Sequence, residues 1–90
     1  MVGRDRLRTG DRQLNRALAA WETIVEEANW KHLADLRQTW KSADQVGSYT
    51  VFNIRHNRFR LITRISYLMA TVAVEAVLTH AEYTRWSRGK

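Results

Sequence analysis

The stretch YTVFNIRHNRFRLITRISY, residues 49–67, decides how this chain folds. Its side-chain character changes with a period of two, which is the spacing of a β-strand rather than of a helix. Residues 49–54 are predicted as one strand and 58–67 as a second, both rich in β-branched and aromatic residues that suit a pleated surface. His56-Asn57 is the expected two-residue turn between them, with Asn57 able to take positive φ at small cost. On the second strand Phe59, Leu61, Thr63, Ile65 and Tyr67 point one way, and Arg58, Arg60, Ile62, Arg64 and Ser66 the other. The first set belongs on a core. The second is an arginine row on an open sheet face, where guanidinium groups that are costly to bury can meet solvent or a polyanion.

Working outward, residues 71–78 read as a third strand that follows a two-residue connection at Met69-Ala70, giving an antiparallel meander. With both connections that short, Asn53 falls opposite Arg60, Arg60 opposite Thr79 with His80 next in the chain, and Arg64 opposite Glu75. Glu75 then neutralises Arg64 and leaves Arg60 as the freer cation.

Upstream, Leu14, Ala17, Leu18, Trp21, Ile24, Val25 and Ala28 recur at the period of one helix face, behind Asp11 as N-cap and with Trp21 in the core. A second, short helix is expected over about 32–39, and a turn over 41–48, where Ser42, Asp44, Gly47 and Ser48 cluster. Residues 1–10 read as an irregular basic lead-in, with a short strand or a helical turn as the local alternatives. Residues 79–86 read as a last helical turn. The expected fold class is α+β, with two N-terminal helices packed on one face of a small three- to four-stranded antiparallel sheet and a short C-terminal helical turn. Residues 1–90 are read as a single domain, since 90 residues fit no more than one.

Composition narrows the function. With no cysteine the chain has no disulfide framework, Cys nucleophile or thiolate metal site. Its longest near-apolar stretch, residues 67–74, is far short of the ~20 residues a membrane span needs, and residues 1–12 lack the apolar stretch of a signal peptide. A cytoplasmic protein without membrane contact is expected. His32, His56 and His80 show no metal-ligand spacing, and there is neither a Gly-rich phosphate loop nor a GxSxG motif, so neither a metal nor a cofactor is expected. The net charge of +6 is unevenly placed: residues 1–50 hold 8 basic and 7 acidic side chains, and residues 51–90 hold 7 and 2. Twelve of the 15 basic residues are Arg, whose planar fork matches phosphate oxygens in pairs. That composition points to an anionic partner.

Val51-Phe52-Asn53-Ile54, Asn57, Arg60-Leu61-Ile62 and Thr79-His80-Ala81-Glu82-Tyr83 together resemble the HigB-type toxins of bacterial type II toxin–antitoxin systems. Leu18, Trp21, Ala28-Asn29-Trp30 and Ala34-Asp35-Leu36 are similar to the helical half of the same family. The likeness spans about residues 14–83. It implies a RelE-like fold and a metal-independent endoribonuclease that acts on mRNA, commonly at the ribosome. It also implies a helix-turn-helix antitoxin of the HigA type that neutralises the toxin. Two departures are visible: His56 stands where the family usually has Gly, and the shortened start implies a missing or frayed first strand.

Within that resemblance the chemistry of metal-free RNA cleavage can be matched to residues. RNA supplies its own nucleophile, the 2′-hydroxyl, so the protein must move protons and stabilise charge on phosphorus. The expected catalytic residues are His80 for proton transfer, Arg60 for the phosphate, and Tyr83 to donate a hydrogen bond or orient the ribose. Asn53 is expected to position Arg60 or substrate, and Arg58, Arg64, Arg55 and Asn57 to bind substrate. The alternatives are a non-catalytic toxin of related fold that blocks a protein such as DNA gyrase, and a simple RNA-binding module.

Overall fold

A computed structural model describes residues 1–3, 9–56 and 58–89; the readings placed on 4–8 and on Asn57 lie outside the described residues. Helix α1, Arg12–Glu27, starts where the sequence sets it. The Asp11 carboxylate accepts from the backbone N–H groups of Gln13 and Leu14 at 2.9 and 3.1 Å, and Leu14, Leu18, Trp21 and Val25 form its buried stripe. Helix α2, Leu33–Thr39, is capped by His32, whose side chain accepts from the Asp35 N–H at 3.4 Å, and it buries Leu36.

Among the described residues there is one five-stranded sheet, in the order β1-β5-β4-β3-β2. The strands are β1 Val2–Gly3, β2 Asp44–Val46, β3 Tyr49–Ile54, β4 Phe59–Ser66 and β5 Thr71–Thr79. Strands β2 to β5 run antiparallel and β1 lies parallel to β5. Phe52, Ile54, Leu61 and Val72 share one core with Trp21, Trp30, Leu36 and the rest of the α1 stripe. Phe52 is fully buried at its centre, with the rings of Trp21, Trp30 and Trp40 at centroid distances of 5.4, 6.3 and 5.8 Å. The Trp40 indole N–H also donates to the Asn53 carbonyl at 3.2 Å, which fastens β3 to the end of α2.

Five expectations are corrected. The 41–48 segment is not only a turn: Asp44–Val46 pairs with β3 as an edge strand. The first strand is present as the two-residue β1 beside β5. The tail is a nine-residue helix, α3, His80–Arg88, begun by a reciprocal cap in which Thr79 and Glu82 satisfy each other's backbone N–H groups.

The fourth correction is of register. The first hairpin pairs Asn53 with Arg60 as expected, but the second sets Arg60 opposite Leu78 and Arg64 opposite Ala73. The connection there spans residues 67–70 instead of two, with Ala70 at φ 54°, and a bulge shifts the ladder between Ile62 and Thr63. Thr63 pairs with Val74 and Ile62 with Ala76, so Glu75 is the extra residue. The bulge turns Val77 inward alongside Val72 and Val74, where uninterrupted alternation would have chosen Ala76.

The last correction concerns the sheet face opposite the core. It is not open along its whole length, because α3 folds back against β4 and β5 and brings Trp86 to within 5.3 Å of the Tyr49 ring. Val51 and Ile62, paired on that face, are only 2% and 1% exposed. Arg60 is half-buried and Arg64 exposed at the margins of this second layer.

Replacing Phe52 by Ala removes the common neighbour of three tryptophans and is expected to cost about 3–5 kcal/mol. Urea denaturation checks this, and a loss below about 1 kcal/mol would mean that the rings close over the gap.

Candidate functional site

Strand β5 runs straight into α3, and that junction builds the site. Phe59 pairs with Thr79, and the His80 N–H donates to the Arg58 carbonyl at 3.2 Å, so the ladder holds the first residue of the helix against the beginning of β4. Helical spacing then puts Tyr83 and Trp86 three residues apart on one side. Tyr83 receives the Arg60 guanidinium on its ring at 5.4 Å and stacks on Trp86 at 5.8 Å and 29°. Asn53 is the cross-strand partner of Arg60 on β3. The fold thus gathers Asn53, Arg58, Arg60, His80 and Tyr83 at one end of the sheet.

Arg64 lies four positions further along β4, roughly 13 Å at the rise of a strand. Its guanidinium covers the Tyr49 ring at 4.9 Å, donates to the Tyr49 hydroxyl at 3.1 Å, and pairs with Glu75 at 3.4 Å. The Glu75 contact survives the changed register because the bulge leaves the carboxylate diagonal to Arg64. The hydrogen bond to the Tyr49 hydroxyl, and then the Glu75 carboxylate, raise the Arg64 pKa above its already high ordinary value, so this side chain stays cationic.

Arg55 is engaged elsewhere. It reaches Asp11 at 3.6 Å and also donates to Gln13, tying the β3–β4 turn to the start of α1. Arg55 and His56 carry that turn in the left-handed region, at φ 53° and 52°. Glu82 is exposed, and its carboxylate is occupied by the Thr79 N–H at 2.9 Å. One neighbour of His80 is missed by reading the sequence alone. Thr84, one helical turn on, places its hydroxyl 3.0 Å from the His80 carbonyl and 3.5 Å from His80 Nδ1. The motif Thr79-x-x-Glu82 signals a helix start, and a full helix from there would have exposed the His80/Thr84 spacing.

Among the described residues no three His, Cys, Asp or Glu side chains are grouped to hold a metal ion, and no helix is long and apolar enough to cross a membrane.

These features define a class of small basic α+β domain, one whose sheet end carries arginines beside a helix-borne histidine and tyrosine. The family model of the HigB toxin, described as the RelE-like toxic component of a toxin–antitoxin system, matches residues 14–86. The chain belongs to that family, which implies an antitoxin as its partner. The matched span runs from the first buried residue of α1 to Trp86 and contains the whole gathered site. No individual curated protein matches the chain.

The cap that begins α3 makes the site sensitive to acid. The Thr79 backbone N–H, then its side chain, and also the charge of Arg85, hold the Glu82 carboxyl below its ordinary pKa of 4.5. A depressed carboxyl pKa stabilises the fold fully above the ordinary value, and that contribution is lost as pH falls through the lower, folded one. Amide protection over residues 80–88, measured against the intrinsic exchange rate at each pH, should therefore fall in acid below about pH 4.5. With Glu82→Gln, protection should be lower at neutral pH and lose this pH dependence.

Proposed function

We propose that this toxin is a metal-independent endoribonuclease that cleaves mRNA, acting at the ribosome in the cytoplasm, and that a helix-turn-helix antitoxin of the HigA type neutralises it. The observation that carries the reading is the convergence of His80 and Tyr83, on one helix start, with Arg60 on the adjoining strand. Arg60 binds the scissile phosphate and stabilises the charge that grows on its oxygens as phosphorus becomes five-coordinate. His80 accepts the proton of the 2′-hydroxyl as that oxygen attacks phosphorus and the bond to the 5′-oxygen breaks. The departing 5′-oxygen takes up a proton from water, so a 2′,3′-cyclic phosphate and a 5′-hydroxyl result. Tyr83 donates a hydrogen bond to the leaving oxygen or orients the ribose, and its contact with Arg60 couples the two groups. Asn53 positions Arg60 or substrate from the neighbouring strand.

Arg58 and Arg64, together with Asn57, bind the RNA backbone with little sequence preference. Arg55 contributes only by exchanging Asp11 for a phosphate.

His80→Ala and Arg60→Ala are each expected to slow cleavage of mRNA in a translating extract by about 10²–10⁴-fold, the scale of acid–base and charge-stabilising groups. Wild-type rates in both variants would end the assignment. Growth arrest with intact transcripts and damaged DNA would point instead to a protein target such as gyrase, and RNA binding without cleavage to a plain binding module.

Arg58→Ala combined with Arg64→Ala should weaken RNA association and flatten its dependence on log salt by about one unit for each phosphate no longer neutralised. Filter binding across a salt series measures this, with circular dichroism as the check that the fold is kept. An unchanged slope would make these arginines ordinary surface.

A further inference from the structure

The Thr84 hydroxyl touches two groups of the same residue, and its single proton cannot serve both. We propose that Thr84 is a positioning residue that sets the tautomer of His80, keeping the ring proton on Nδ1 and leaving Nε2 as the basic nitrogen presented to substrate. The role of that nitrogen rests on the ribonuclease reading above; the tautomer itself does not.

A threonine hydroxyl has one proton to give and two lone pairs to receive with. The His80 carbonyl, 3.0 Å from Thr84 Oγ1, has no proton and can only accept, so the hydroxyl proton is directed there. This is the usual back-bond of a helical threonine to the carbonyl four residues earlier. Toward His80 Nδ1, 3.5 Å away, the same oxygen then offers only a lone pair. A lone pair facing an unprotonated Nδ1 repels it, whereas a lone pair facing Nδ1–H attracts it. The contact is long, so it biases the tautomer and does not lock it.

The consequence for chemistry follows from the shape of imidazole, in which the nitrogen not bonded is the one left to act. Nδ1 is turned back along α3, so Nε2 lies across the ring on a side chain that is exposed. Glu82, the carboxylate nearest in sequence, is occupied by the Thr79 N–H and does not compete for the ring. A neutral imidazole in water favours the opposite tautomer, with hydrogen on Nε2, and that form has no lone pair where the 2′-hydroxyl proton must go. The bias from Thr84 therefore raises the fraction of His80 that is ready to act as a base.

The test uses the full chain labelled with ¹⁵N at histidine, with long-range ¹H–¹⁵N spectra taken above the pH at which His80 titrates and the His80 signals assigned by their loss in His80→Gln. The wild type should show a pyrrole-like Nδ1 and a pyridine-like Nε2. Thr84→Ser should keep that pattern, and Thr84→Val should move His80 toward hydrogen on Nε2. If cleavage is measured in parallel, Thr84→Val should lower kcat about 2- to 10-fold, the effect of one ordinary hydrogen bond, with KM unchanged and the serine variant restoring the rate. A wild-type His80 with its hydrogen on Nε2, or a Thr84→Val spectrum unchanged from wild type, overturns the proposal. A tautomer that shifts with Thr84 in a chain that cuts no RNA upholds the proposal and removes the ribonuclease reading.

Discussion

The rest of the molecule depends on the burial of Phe52 among three indoles. Trp21 comes from α1, Trp30 from the link after it, and Trp40 from the end of α2, so one ring on β3 joins every segment of the helical layer to the sheet. Each such ring pair is worth about 0.5–1.5 kcal/mol beyond the area it buries, and a domain of this length has only some 5–13 kcal/mol of net stability. The cluster also settles orientation. With Phe52 committed inward, Val51 and Asn53 must face the other side, and the ladder hands the same phase to Arg60, Ile62 and Arg64 on β4. A one-residue slip of β3 would turn Phe52 out and Val51 and Asn53 in, away from the face that carries Arg60, so the core and the candidate site are specified by the same contact.

On the far side α3 is held differently. None of its residues is fully buried, and it rests on the sheet through Tyr83 and Trp86, with Tyr49 beneath and arginine guanidinium groups on two of the rings. Cation–π contacts at partly exposed sites contribute only about 0.5–1 kcal/mol each. The start of the helix is the firm part, because there the Thr79–Glu82 cap and the His80–Arg58 backbone bond act together. His80 therefore stands at the best-anchored point of an otherwise lightly held element.

Much of this is legible in the sequence where the signal is local and periodic. The two faces of β4, the Asp11 cap, the α1 stripe and the pairing of Asn53 with Arg60 follow from side-chain alternation, one capping carboxylate and a short connection. What escapes depends on groups distant in the chain or on single-residue irregularities. The connection over 67–70 carries no strong turn residue, so the second hairpin is set two residues out of register, and the bulge at Glu75, which has no compositional mark, reduces that to one beyond Ile62. Strand β2 is three residues long with two of them exposed, too short for a period to show. Only Tyr83 and Trp86 carry α3's large apolar surface, which leaves the tail looking like a single turn and the sheet face looking open. The capture of Arg55 by Asp11 joins residues 44 positions apart, and the sequence between them gives no hint of it. The roles given to His80, Arg60 and Tyr83 come from family likeness, while their convergence comes from the fold.

The bulge carries an evolutionary consequence. Strands rarely tolerate a change in length, since adding or losing one residue exchanges the two faces beyond that point. In β5 the residue at the bulge is surplus to the alternation: Val72 and Val74 face inward before it, and Val77 faces inward after it, with Ala76 outward between. A lineage that lost Glu75 would keep the same valines in the core and the same residues beside Arg60, and would give up only the carboxylate on Arg64. Variation in chain length, which proteins ordinarily confine to loops, is thus permitted at one point in the middle of this sheet. There it would alter the charge on the arginine-bearing side without disturbing the core behind it.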